Sequence, residues 1–179
     1  MTGSDLQPSL EGELLTLRPL VPGDWEELFS AASDPLIWEQ HPASDRYKEE
    51  VFRTFFADAL ASRGALVALD RKTGKVIGSS RFAHHEFGEL EVGWTFLIRE
   101  CWANGYNREM KRLMLEHAFR FVESVIFVIG PDNWRSRKAV EKIGGVLTDL
   151  TCPRTMRGEP VEHVVYRIAR PPQLFPEQP

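Results

Sequence analysis

The sequence predicts an α/β sandwich built around a mixed sheet, and three observations predict it. Leu90, Val92, Trp94, Phe96 and Ile98 recur at every second residue, the period of a strand with one covered face. Val51, Phe52, Phe55, Phe56 and Ala59 recur instead at the spacing of an amphipathic helix. Val125-Ile126-Phe127-Val128-Ile129 is apolar without alternation, as in a strand covered on both faces.

The elements follow in order. Leu15 and Leu17, with Leu20 beyond them, alternate with Thr16 and Arg18 ahead of Pro19 and Pro22 and give a first strand. Asp24 is expected to cap a helix through Trp25, Leu28, Phe29 and Ala32, ending near Asp34-Pro35. A second helix covers Lys48 to Leu60. Ala65 to Asp70, the turn Lys72-Thr73-Gly74, Val76 to Phe82, a turn around Phe87-Gly88 and Leu90 to Ile98 then read as an antiparallel meander. From Asn107 to Val122 two apolar stripes mark a helix buried between layers, and His117 falls on one of them as a core histidine. The strand Val125 to Ile129 leads into a helix from Asn133 to about Ile143, stopped by Gly144-Gly145. Val146 to Thr151 and His163 to Ala169 close the chain as a hairpin across Arg157-Gly158-Glu159-Pro160. The predicted order is β-α-α-β-β-β-α-β-α-β-β in one domain over residues 10–170, with 1–9 and the proline-rich 171–179 expected as flexible termini.

Composition bounds the function. At 179 residues, 42% hydrophobic and 27% charged, the chain suits one ordinary globular domain and neither a disordered nor a fibrous protein. No window approaches the roughly 20 apolar residues of a membrane span, and Met1 to Gln7 lack a secretion signal, so a cytoplasmic protein without a membrane partner is expected. Cys101 and Cys152 stand far apart without metal-binding spacing, and no two histidines have the i, i+4 spacing of a helical metal site, so no disulfide framework and no metal are expected. With 22 Lys+Arg against 26 Asp+Glu the net charge is −4, which argues against nucleic acid and favours a cationic small molecule or an amine as partner. The chain is expected as a monomer or a homodimer.

Two segments carry chemistry. Arg99-Glu100-Cys101-Trp102-Ala103-Asn104-Gly105-Tyr106-Asn107 joins a strand to a helix through a tight glycine-bearing loop, an arrangement that presents unpaired amides and a positive dipole end to an anion such as pyrophosphate. Asn133, Ser136 and Val140 open the next helix at helical spacing. Together with Leu17-Arg18-Pro19-Leu20 followed by Asp24, with Glu91-Val92-Gly93-Trp94, and with Glu141-Lys142-Ile143-Gly144, these segments resemble the GNAT (Gcn5-related) N-acetyltransferase superfamily. Within it they resemble the branch that acetylates the N-terminal amines of ribosomal proteins. The resemblance runs from about Leu14 to Ile168.

The resemblance implies a mostly antiparallel sheet with helices on both faces, whose central parallel strands, Leu90 to Ile98 and Val125 to Ile129, splay to admit acetyl-CoA as cosubstrate. The amides of Asn104, Gly105, Tyr106 and Asn107 would hold its pyrophosphate, Gly105 allowing close approach. Asn133 would position the pantetheine arm beside the splayed strand amides. Asn107 departs from the family's usual small residue. Val140 stands where many members carry the tyrosine that protonates the departing thiolate.

Direct transfer to a primary amine, on a protein N-terminus or a small molecule, needs a base, an oxyanion donor and a proton for the thiolate. Glu91 is the candidate base, or an orienting group for a cationic substrate. A backbone N–H near Gly93 or Trp94 is the candidate oxyanion donor, since a strand glycine often marks a bulge. Ser136 either serves the thiolate or caps its helix. Of His84 and His85, adjacent on a strand, at most one can face the site. Trp38 and His41 sit where the family shapes its acceptor pocket, and Arg135, Arg137 and Lys138 either neutralise a CoA phosphate or form a solvated helix face. The rival reading is a non-catalytic acyl-CoA-binding module, supported by the missing tyrosine.

Overall fold

A computed structural model describes residues 4–171. Eight strands form one sheet: β1 (Leu10–Glu11), β2 (Leu15–Pro19), β3 (Ala65–Asp70), β4 (Val76–His84), β5 (Leu90–Leu97), β6 (Ser124–Ile129), β7 (Val146–Met156) and β8 (Glu159–Ala169), in the spatial order β1-β2-β3-β4-β5-β6-β8-β7. The helices are α1 (Trp25–Ala32), α2 (Glu49–Ser62), α3 (Tyr106–Ala118) and α4 (Trp134–Lys142). The predicted order holds, with β1 as an addition: two residues are too few to show alternation. The closing hairpin is longer than predicted because its turn tightens to Arg157-Gly158 and the flanking residues pair.

Two apolar layers cover the sheet. On one face Met110, Met114 and Ala118 of α3 pack on Leu15, Leu17, Leu66, Val92, Val125 and Phe127. On the other, Leu28 and Ala32 of α1 with Phe52, Phe55 and Phe56 of α2 pack on Ala65, Val67 and Phe96. The strand alternation explains the split, since Leu66 and Ala68 face one layer and Ala65 and Val67 the other.

Asp24 does not cap α1 with its side chain. It forms a two-point bridge with Arg18, at 2.7 and 2.9 Å, and accepts the Val21 amide. Residues 4–9, expected to lie loose, lie against the fold: Leu6 packs on the core, Pro8 is buried, and the Asp5 carbonyl meets Nε2 of buried His117 at 2.6 Å. Residues 172–179 fall outside the described part. Glu109 of α3 accepts the amides of Glu13, Leu14 and Leu15, anchoring the β1–β2 turn. A side chain on Gly12 would meet the Glu109 carboxylate at 2.3 Å and would have to displace it from these amides.

One break in the pairing positions the site. β5 and β6 are the parallel neighbours, and they pair only at Leu90↔Val125 and Glu91↔Ile126. Beyond these residues the two strands part into a wedge while β5 stays paired to β4 and β6 to β8. The register between β4 and β5 slips by one residue where Ser79 faces Phe96 and Arg81 faces Gly93. This is a β-bulge, with Trp94 in left-handed backbone at φ 52. The bulge is tied down: Ser80 Oγ lies 2.7 Å from Thr95 Oγ1, which also receives the Lys111 ammonium, and the Gly93 carbonyl accepts from Ser80.

Candidate active site

The wedge opens into a cavity of about 890 Å³ that runs from the mouth at α3 and α4 to an inner end lined by the α1–α2 loop and the β7–β8 hairpin. Glu91, Trp94, Gly105, Asn107, Asn133, Ser136, Trp38 and His41 all line it, so most of the residues singled out in the sequence converge on one space. Asn104, Tyr106 and His84 do not. Asn104 turns its amide back to the Glu100 carbonyl, Tyr106 donates its hydroxyl to Asp70 at 2.7 Å, and His84 is exposed at the end of β4. Asn104 and Tyr106 therefore have only backbone to offer an anion.

At the mouth, Gly105 stands at φ 85 immediately before α3, a backbone that glycine adopts without strain. The first intrahelical bond runs from the Glu109 amide to the Gly105 carbonyl, which leaves the amides of Tyr106, Asn107 and Arg108 free at the positive end of the helix. Arg108, Lys138 and Lys142 line the same mouth. Arg135 also lines it, lying 4.1 Å over the Trp102 ring. Arg137 does not, because it is held by the Tyr166 hydroxyl and the Pro131 carbonyl. Asn133 caps α4, its Oδ1 accepting the Ser136 amide at 3.3 Å. A polyphosphate fits this donor set, and the unpaired edges of β5 and β6 inside the wedge suit an amide-bearing chain behind it.

At the inner end, Glu91 is 3% exposed, with one oxygen bound to Arg154 at 2.6 Å and Oε1 accepting nothing from the described residues. Burial pushes its carboxyl above the usual range, and the neighbouring Arg154 opposes but does not cancel this. Trp38 is fixed by its indole N–H on the Ala32 carbonyl at 2.8 Å. His41 accepts the Ala43 amide on Nδ1, and burial holds its pKa down at about 3, so it is neutral and its proton sits on Nε2.

Sequence reasoning missed four residues here. Lys111 of α3 is fully buried in the cavity wall, and loss of hydration lowers its pKa to about 7. Its apolar helical stripe reads as core, and a lysine beside that stripe gives no local signal. Arg46, Arg154 and His163 also line the cavity, brought there by the α1–α2 loop and the β7–β8 hairpin from far apart in sequence. Among the lining residues Glu91 is the one carboxylate against seven Lys and Arg. The cationic partner expected from net charge is thus at odds with the cavity, because a sum over 179 residues does not report the sign of one pocket.

Among the described residues no cluster of three or more His, Cys, Asp or Glu could hold a metal, and no helix is long and apolar enough to cross a membrane.

Known proteins share the fold. Over 83 residues the chain is 31% identical to the uncharacterized protein YkkB of Bacillus subtilis, covering 44% of this chain and 48% of that one, so the chain spans about half the length of the curated relative it matches. An acetyltransferase from Agrobacterium tumefaciens str. C58 superposes with a TM-score of 0.67 at 26% identity, over 91% of this chain and 95% of that one. A GCN5-related N-acetyltransferase from Brucella melitensis gives 0.75 at 19% identity, over 91% and 79%, a likeness of fold. Residues 15–146 match the family described as the acetyltransferase (GNAT) domain, and with that span holding the wedge, the bulge and both helix N-termini, the chain belongs to the GNAT acetyltransferases.

Proposed function

We propose that the chain transfers an acetyl group from acetyl-CoA to a primary amine, by direct attack while both substrates are bound. The observation that carries the reading is Glu91: a buried carboxylate at the point where β5 and β6 part, with one oxygen held by Arg154 and the other open to the cavity. The cosubstrate supplies an activated thioester carbonyl. Its phosphates suit the α3 N-terminus with Arg108, Lys138 and Lys142, and its pantetheine suits the open edges of β5 and β6.

The chain's own groups then have distinct tasks. Glu91 Oε1 takes the proton of the attacking amine, and its raised affinity for protons makes it a better base than a solvated carboxylate. The bulge at Trp94 takes backbone out of the β4 ladder, leaving an amide to face developing negative charge on the carbonyl oxygen. Val140 cannot donate a proton, and Lys111, buried and titrating near 7, holds one at Nζ for the departing sulfur. Asn133 and not Ser136 caps α4, so the Ser136 hydroxyl, in the cavity wall, is a second candidate to serve the thiolate. The acceptor amine belongs either to a protein N-terminus, as in the ribosomal-type branch, or to a small molecule.

Release of free thiol from acetyl-CoA in the presence of a panel of amines tests the reading. Amine-dependent release supports it. Tight CoA binding with no release for any amine would show a non-catalytic acyl-CoA-binding module instead.

A further inference from the structure

The inner end of the cavity holds more positive charge than the thioester end of acetyl-CoA can use. Three arginines on three separate segments contribute it: Arg46 before α2 and Arg154 on β7 in the cavity wall, and Arg81 on β4 beside the Trp94 ring. Two aromatic rings link them. The guanidinium carbons of Arg46 and Arg81 lie 4.6 and 5.6 Å from the centre of the Phe55 ring, and those of Arg81 and Arg154 lie 4.7 and 4.9 Å from the Trp94 ring. Trp94, Arg46 and Arg154 line the cavity, and Arg81 stands next to the Trp94 ring.

Their counter-charges are short by two. Arg154 pairs with Glu91. Arg46 makes no ion pair with a described residue, and its Nη1 approaches only His41 Nε2, at 3.5 Å, the nitrogen that carries the imidazole proton. Arg81 is 7% exposed, and its Nε and Nη2 are buried without any partner among the described residues. Asp58 and Asp45 attract these charges from outside the cavity, and neither lines it. His41 and His163 are both held on the neutral side by burial, so they neither add to the charge nor cancel it. A guanidinium taken out of water without a counter-charge is costly to retain, and Arg46, which lies in the cavity wall, is relieved of that cost when a ligand supplies the charge.

Resting on the reading of the chain as an amine acetyltransferase, we propose that its acceptor carries a carboxylate close to the amine, and that Arg46 and Arg154 in the cavity wall receive that carboxylate, Arg81 adding its charge from beside the Trp94 ring, while Glu91 receives the amine. A planar carboxylate matches the guanidinium fork. The same surplus disfavours polyamines and other acceptors that bring only positive charge. It also favours the neutral form of the bound amine, which is the form that attacks.

Two sources of such an acceptor exist, free amino acids and peptides that begin with Asp or Glu. The test measures kcat/KM for a panel of free amino acids, for the same amino acids as carboxamides, and for peptide amides beginning with Asp, Glu, Asn or Gln. A preference of about tenfold or more for the acidic member of the matched pairs is expected, and the arm in which it occurs identifies the source. Equal rates for acids and amides, with turnover otherwise intact, overturn this proposal and leave the acetyltransferase reading standing.

Binding keeps the two separable where nothing turns over. N-acetyl amino acids, against their amides, are titrated into the CoA-loaded protein and followed by its thermal midpoint. A shift with the acids alone supports the carboxylate site, and no difference removes it. Arg46→Met is expected to bring the acid-to-amide ratio to near one, and Arg46→Lys to restore part of it, each with CoA affinity measured to verify the fold. A ratio unchanged in Arg46→Met also overturns the assignment.

Discussion

Glu89 and Glu91 stand on either side of Leu90, at the one place where β5 and β6 pair, and each reaches an arginine of the C-terminal hairpin. Their fates diverge. Glu89 receives a two-point fork from Arg167, at 2.6 and 3.0 Å, and the Ser124 hydroxyl at 2.6 Å. The fork holds its carboxyl below the usual range despite partial burial. Glu91, two residues on, is more deeply buried and receives one donor, and its carboxyl is pushed up. The balance of donors against lost hydration therefore separates a pinned carboxylate from one with an open oxygen across a single intervening residue. Glu89 joins three strands at the closed end of the wedge, and Glu91 faces the open end with an oxygen to spare.

Exchanging each for its amide breaks the comparison in opposite ways. Glu91→Gln is expected to lower turnover about 10²- to 10⁴-fold, the range for loss of a general base. CoA affinity should stay within a few-fold, read by thiol release and by equilibrium titration. In the wild type kcat/KM should climb as pH rises through the raised Glu91 pKa, because the base works only when ionised. An unchanged rate in Glu91→Gln would remove it as the base.

Glu89→Gln should do the reverse. Losing charge-assisted bonds from Arg167 and Ser124 is expected to cost about 2–3 kcal/mol of stability, with turnover per folded molecule retained. Thermal unfolding measures it. Because the folded pKa of Glu89 lies below its unfolded value, its stabilisation is complete above the ordinary carboxylate pKa and fades as pH falls through the folded one. The gap in midpoint between wild type and Glu89→Gln should therefore close in acid, and a gap that persists there would show a steric cause.

What the sequence could disclose follows the same line between local and assembled features. The period-two run of β5 and the unbroken apolar run of β6 place both wedge strands by residue pattern alone. Gly105 ahead of a helix places the mouth of the cavity, and Gly93 hints at the bulge, although the left-handed residue is Trp94. Each of these signals lies within about ten residues. The inner end has no such signature: Arg46, Arg81, Arg154 and His163 meet only because the α1–α2 loop and a hairpin more than a hundred residues later fold over the same strand. His84 illustrates the converse, since alternation limits which neighbour can face inward without saying where the strand ends.

Lys111 gives the mildest test, and it bears on the wedge from below. Its Nζ donates to Thr95 at the bulge and lies 5.6 Å from the Phe127 ring, so it touches both parted strands. Burial lowers its pKa from the ordinary lysine value to about 7, so the folded chain gives up this proton while the unfolded chain still holds it. Between pH 7 and about 10 the unfolded state then binds more protons, and this group makes stability rise with pH until the unfolded lysine also titrates. Lys111→Met should flatten that rise, measured as the thermal midpoint across the interval. The same substitution should lower turnover by no more than about tenfold, since water can replace a proton donor. It should also remove an alkaline fall in kcat centred near pH 7. Loss of the stability slope with the alkaline limb intact would leave Lys111 as a buried support of the bulge and return the thiolate's proton to solvent.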